Sequence, residues 1–165
     1  MPVINFSNPI RDSSSVSAYS KKVITEILKK AGISQTTITS AGRTAGDQAR
    51  IMYENITRHG VAHQKKLYGQ HGDKVIDEYS SLQAAGKTQS QIIAGMTSKI
   101  NKIGPGKVSK HAADPKKLNV VDIAPSSINL ALRKKFEAEV RKDTRVSKFL
   151  TPPGDPAYHI EIPQP

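Results

Sequence analysis

The sequence predicts an α+β fold, a small antiparallel sheet flanked by helices. Three observations lead there. Short β-branched runs fall at 36–40, 118–124 and 157–162, each with the composition of a strand. Longer segments between them carry apolar residues at helical spacing. The strands are far apart in sequence while helices fill the intervals, which is the α+β pattern.

Residues 1–13 read as extended, with Pro2 and Pro9 interrupting any periodicity. Ser13, Ser14 and Ser15 offer hydroxyls for an N-cap. A helix is expected over about 16–31, with Val16, Tyr19, Val23, Ile27 and Ala31 on one face and Gly32 at its end. The strand at 36–40 runs into Ala41-Gly42-Arg43-Thr44, and a second helix is expected at about 46–58 with Ile51, Met52 and Ile56 inward. The stretch 59–72, rich in His, Gly and Lys, reads as a connection. Asp73 can cap a third helix to about Ala85, burying Val75, Ile76, Tyr79 and Leu82 before Gly86. Thr88 caps a fourth, with Ile92, Ile93, Met96, Ile100 and Ile103 as its stripe, stopped by Gly104-Pro105-Gly106. After the strand at 118–124, Pro125 and then Ser126 or Ser127 open a helix to about Arg141, burying Ile128, Leu132, Phe136 and Val140. The loop Thr151-Pro152-Pro153-Gly154-Asp155-Pro156 leads into the last strand.

A chain of 165 residues is read as one domain with enough length for a core. No apolar run approaches the length of a bilayer span, and the N-terminus has no basic segment followed by an apolar stretch, so no secretory signal is expected. The chain has no cysteine, so a metal must be held by histidine and carboxylate. The net charge of +11 predicts attraction to polyanions such as an anionic cell wall or nucleic acid. With aromatics at 5%, the stacking residues of a single-strand binder are scarce, so nucleic acid is the less favoured partner.

The chemistry gathers in the C-terminal third. In Tyr158-His159-Ile160-Glu161-Ile162 the period of two sets His159 and Glu161 on one face and the apolar residues on the other. Asp122, within Val120-Val121-Asp122-Ile123, is a carboxylate in a core-like strand, and it needs a cation or several hydrogen bonds. His111 follows a glycine-rich turn as Ser109-x-His111. Two histidines and a carboxylate supply the three protein ligands of a zinc site with an open fourth position. There, water reaches a pKa of about 7, a carboxylate can move its proton, and a cation can steady the oxyanion. Asp114 is a carboxylate nearer to His111 and stands as an alternative ligand to Asp122. His59 and His63, four apart, lack the glutamate of a metallopeptidase helix and read as surface, as does His71. The paired lysines at 21–22, 29–30, 65–66, 116–117 and 134–135 read as solvated faces.

Ser109-x-His111, Asn119-Val120-Val121-Asp122-Ile123 and Tyr158-His159-Ile160-Glu161 resemble the metal signature of M15-type (LAS-type) zinc D-Ala-D-Ala peptidases and peptidoglycan endopeptidases. Ile38-Thr39-Ser40-Ala41-Gly42-Arg43-Thr44 resembles the same family's strand and arginine turn, with Gln48 placed like a polar residue of the following helix. The resemblance covers about 38–56 and 104–162. It differs in that ten residues separate His111 from Asp122, so 112–117 reads as an insertion, and no aromatic precedes Arg43. The resemblance implies a Hedgehog/D-Ala-D-Ala-peptidase-like fold over 1–165, with a helical insertion at about 60–103. It implies that His111, Asp122 and His159 bind Zn2+ and that Arg43 stabilises the tetrahedral intermediate. The base would be Asp155 or Glu161, with Glu161 otherwise orienting a ligand. The activity expected is metallopeptidase hydrolysis of an amide bond in cell-wall stem peptides or cross-links, by an endolysin-like or effector-like monomer. It would act in the periplasm or on the wall after holin-type release or non-classical export, with anionic wall polymers as further partners. The alternative is a non-catalytic basic module binding anionic cell wall or nucleic acid.

Overall fold

Val120, Val121 and Ile123 make β3 (Leu118–Ile123) apolar on both faces, and that strand lies at the centre of the sheet. It pairs antiparallel with β2 (Gln35–Ala41) on one side and with β5 (Tyr158–Pro163) on the other. With β1 (Val3–Phe6) and β4 (Lys148–Leu150), the five strands run in the order β1-β2-β3-β5-β4. The fold is α+β, as the sequence predicts, but the sheet is mixed rather than antiparallel, because β1 runs parallel to β2. Its cause is the connection. After the single turn α1 (Pro9–Asp12), α2 (Ala18–Ala31) carries the chain from β1 to β2, and parallel neighbours need such a crossover.

The computed structural model describes all 165 residues, which divide into two compact units: Met1–Gly42 with Asp114–Pro165, and Arg43–Ala113. Where the sequence predicts one domain with helices inserted at about 60–103, the helical unit is wider and also takes in the helix expected at 46–58. No helix is long and apolar enough to cross a membrane.

In the sheet unit, Val121, Ile123, Ile160 and Ile162 pack in one cluster with Val23, Ile24, Ile27 and Leu28 of α2. Phe136 and Val140 join them from a helix late in the chain. Ser17 caps α2 by accepting the Ser20 N–H at 3.0 Å, and Gly32 ends it with φ of 73°, the left-handed conformation that glycine adopts without steric cost. The helix expected from Ser126 begins only at Arg133. Ser127 is occupied elsewhere: its hydroxyl accepts the Thr37 N–H at 3.0 Å and donates to the Ala124 carbonyl at 2.7 Å. Residues 125–132 therefore form two short 3-10 turns before that helix starts.

The helical unit comprises α3 (Ala45–His59), α4 (Val61–Leu67), α5 (Gln70–Ala84), α6 (Gln89–Ile103) and α7 (Pro105–Val108). Met52, Ile56, Val75, Ile76, Met96 and Ile100 are central to its own core. Thr44 and Thr88 each close a reciprocal capping box, with Asp47 and Gln91. The stretch 59–72, expected as a connection, contains α4 and the first residues of α5.

The last helix, α8 (Arg133–Lys142), is tied to α2 by Arg145. This guanidinium donates to both carboxylate oxygens of Asp143, at 2.8 and 2.6 Å, and to Glu26 of α2 at 2.7 Å. The Arg145 hydrogen bonds hold the buried Asp143 carboxyl below its usual value of 3.8 and the Glu26 carboxyl below 4.5. A carboxyl whose folded-state pKa is depressed stabilises the fold above its unfolded pKa, and loses that contribution as pH falls through the folded value. Arg145→Ala is therefore expected to lower stability at pH 7, by an amount that solvent screening of these part-exposed groups keeps small. The deficit should shrink in melts taken progressively below pH 4, and a deficit of equal size at pH 7 and pH 3 would contradict this assignment.

Candidate metal centre

β3 and β5 set the geometry. In their antiparallel register Asp122 lies opposite His159, and Val120 opposite Glu161. Directly opposed residues share a sheet face, so these polar side chains stand together while Val121, Ile123, Tyr158 and Ile160 enter the core beneath. The alternation in the sequence predicts this division. It does not show how deeply the polar face lies: side-chain exposure is 9% for His159, 7% for Glu161 and 18% for Asp122.

The His159 ring is held at both nitrogens. Nδ1 lies 3.1 Å from Asp122 Oδ1, and Nε2 lies 3.0 Å from Glu161 Oε1. The hydrogen bond to Asp122 raises the His159 pKa above its ordinary 6.5 and that to Glu161 adds to it, against the opposing effect of burial. As an imidazolium, His159 donates to both carboxylates. Loss of the Nδ1 proton exposes a lone pair beside Asp122 while Glu161 still fixes the ring through Nε2–H, which is how carboxylates orient metal-binding histidines.

His111 arrives from α7. Val108 is anchored among the buried residues of the helical unit, Ser109 is extended, and His111 sits in the 3-10 turn 110–112. A Cβ on Gly106 would come 3.3 Å from the Ala113 Cα, so a residue without one lets this turn fold back tightly. His111, Asp122 and His159 form a group in which each offers one ligand atom, and these atoms lie within 4.8 Å of one another. Tetrahedral zinc with bonds near 2.0–2.1 Å separates its ligand atoms by roughly 3.3 Å. The 3.1 Å between Nδ1 of His159 and Oδ1 of Asp122 matches that separation. Two imidazole nitrogens and a carboxylate suit a divalent transition ion and leave a fourth position for water.

Asp114, the alternative carboxylate, is not in this group. It is exposed, and its Oδ1 accepts the Lys116 N–H at 2.9 Å. Asp155 lies in the turn before β5, half-buried, with Oδ1 accepting the Ala157 N–H at 2.9 Å. Arg43 directly precedes the capping residue of α3, and its Nη1 donates to Gln48 Oε1 at 3.3 Å. Gln48 is fully buried, and its Nε2 donates to the Tyr68 hydroxyl at 3.2 Å. Burial pushes the Tyr68 pKa above 10.0, so the hydroxyl keeps its proton at neutral pH. Tyr68 carries no signal in the sequence, because no local pattern links it to a glutamine twenty positions earlier. Comparisons with family models, with curated proteins and with solved structures found no match to this chain.

Proposed function

We propose that the protein is a zinc-dependent peptidase that hydrolyses an amide bond in the stem peptides or cross-links of peptidoglycan, with a sheet unit of the D-Ala-D-Ala-peptidase type. The observation that carries the reading is the His111, Asp122 and His159 group with Glu161 seating the His159 ring. These three residues hold the ion, which when bound supplies Lewis acidity toward an amide carbonyl and makes water nucleophilic near neutral pH. Asp155 takes the proton from water and returns it to the leaving amine. Arg43 binds the carbonyl oxygen and steadies the charge that develops on it. Glu161 keeps Nε2–H of His159 engaged, a role that competes with acting as the base. The charge of +11 draws the protein to anionic wall polymers.

The test uses untagged protein purified without added metal. One zinc per chain by elemental analysis, together with cleavage of a defined muropeptide, supports the reading. Absence of zinc after reconstitution, or zinc without cleavage of any muropeptide, rejects it. The net charge then favours a basic binding module, which duplex DNA binding with a steep salt slope would identify.

A further inference from the structure

The ring of Tyr68 rests on a backbone position that admits no side chain. A Cβ on Gly72 would lie 2.4 Å from the Tyr68 Cβ and 2.7 Å from its Cγ and Cδ1. Tyr68 itself is extended at the end of α4, with its N–H donating to the Gln64 carbonyl at 3.1 Å. Backbone and ring are therefore both fixed, and the hydroxyl is fixed with them.

That hydroxyl determines what Gln48 can do. A guanidinium offers only donors, so the amide of Gln48 must turn Oε1 toward Arg43. Nε2 then faces the Tyr68 oxygen, which accepts its hydrogen bond. Gln48 is wholly buried, and without that acceptor its amide nitrogen would lose its partner away from water, at a cost that favours rotation of the amide. Rotation would set donor against donor at Arg43. Thr44 and Asp47 hold the backbone beside Arg43 through their capping box, but the guanidinium itself is held by the hydrogen bond that it donates to the buried Gln48 Oε1.

We propose that Tyr68 is a positioning residue for Arg43, acting through the buried Gln48 amide and seated on the bare backbone of Gly72. The inference rests on the reading of Arg43 as the substrate-binding arginine. It adds the device that aims the guanidinium, and so sets how well the enzyme steadies the oxyanion.

Two readouts test it. In the first, NMR follows rotation of the Arg43 guanidinium in the full chain, with Arg43→Lys used to assign the signal. Tyr68→Phe keeps the ring on Gly72 and removes only the hydroxyl. It should speed the rotation about tenfold, the equivalent of one hydrogen bond to a charged group, with amide spectra otherwise unchanged. Gln48→Leu should do the same, and it serves if the first variant folds poorly. Unchanged rotation in either folded variant overturns the proposal. In the second readout, Tyr68→Phe should lower kcat on a muropeptide roughly 10-fold with KM little altered, and cause no further loss in an Arg43→Lys background. Full kcat in Tyr68→Phe, or an equal loss in both backgrounds, also overturns it. If no variant and no wild-type protein cleaves a muropeptide while rotation responds as stated, the peptidase reading fails and the Tyr68–Arg43 coupling stands.

Discussion

Asp122→Ala is expected to take the protein from one bound zinc per chain to none and to abolish hydrolysis. The carboxylate is one of the three proposed ligands, and it lies 3.1 Å from the ring nitrogen of a second. Its removal leaves two histidines, and also releases His159 from the contact that chiefly raises its pKa. The loss should therefore exceed the roughly 10–100-fold in affinity that an outer partner contributes. Glu161→Gln provides the contrast. It retains a group able to bond the His159 ring, so zinc should stay at one per chain with affinity weakened by about 10–100-fold. Elemental analysis in the presence of a competing chelator separates the two. One zinc retained in Asp122→Ala would remove Asp122 from the ligand set.

Phe136→Ala should be the most destabilising core truncation in the sheet unit, by about 3–5 kcal/mol. That is a large part of the roughly 5–15 kcal/mol that holds a domain folded. Phe136 is fully buried in α8, edge-on to Tyr158 at 5.1 Å and to Phe149 at 6.4 Å between ring centroids, while those two rings stack at 5.9 Å. Such pairs add to the burial of their area, and three rings meeting across α8, β4 and β5 leave no single neighbour able to fill the space. Tyr158 immediately precedes His159, so the same cavity loosens the strand that carries a proposed ligand. Denaturant titration gives the number, and a loss below about 1 kcal/mol would mean that the site collapses onto itself.

The elements legible in the sequence are those whose signal is local. The stripe Ile92, Met96 and Ile100 with Thr88 before it gives α6 within a residue, and the alternation around Ile160 gives β5. β1 and β4 are short strands at the sheet's margins, defined by pairing partners such as Gln35 and Glu161 rather than by their own pattern. Residues 126–132 look like the start of a helix because Ser126 and Ser127 can cap one, but the Ser127 hydroxyl binds β2 instead. At the site, parity placed Asp122 with His159. Which nitrogen each carboxylate holds, and that Tyr68 stands behind Gln48, depend on contacts between elements that no spacing encodes.

The sheet unit is interrupted: the chain leaves it at Gly42 and returns at Asp114. Its central pairing accordingly joins distant residues, and the Thr39 hydroxyl reaches the Asp122 carbonyl from 83 positions earlier. On a ribosome delivering residues in order, β1, α2 and β2 emerge long before β3, and their ladder stays open along one edge while the whole helical unit is made. Closing that separation costs loop entropy, and contacts of this range slow folding. The ligands follow the same schedule. His111 appears first, Asp122 next and His159 last, so the three candidate ligands are together only after β5 has been made and has paired with β3.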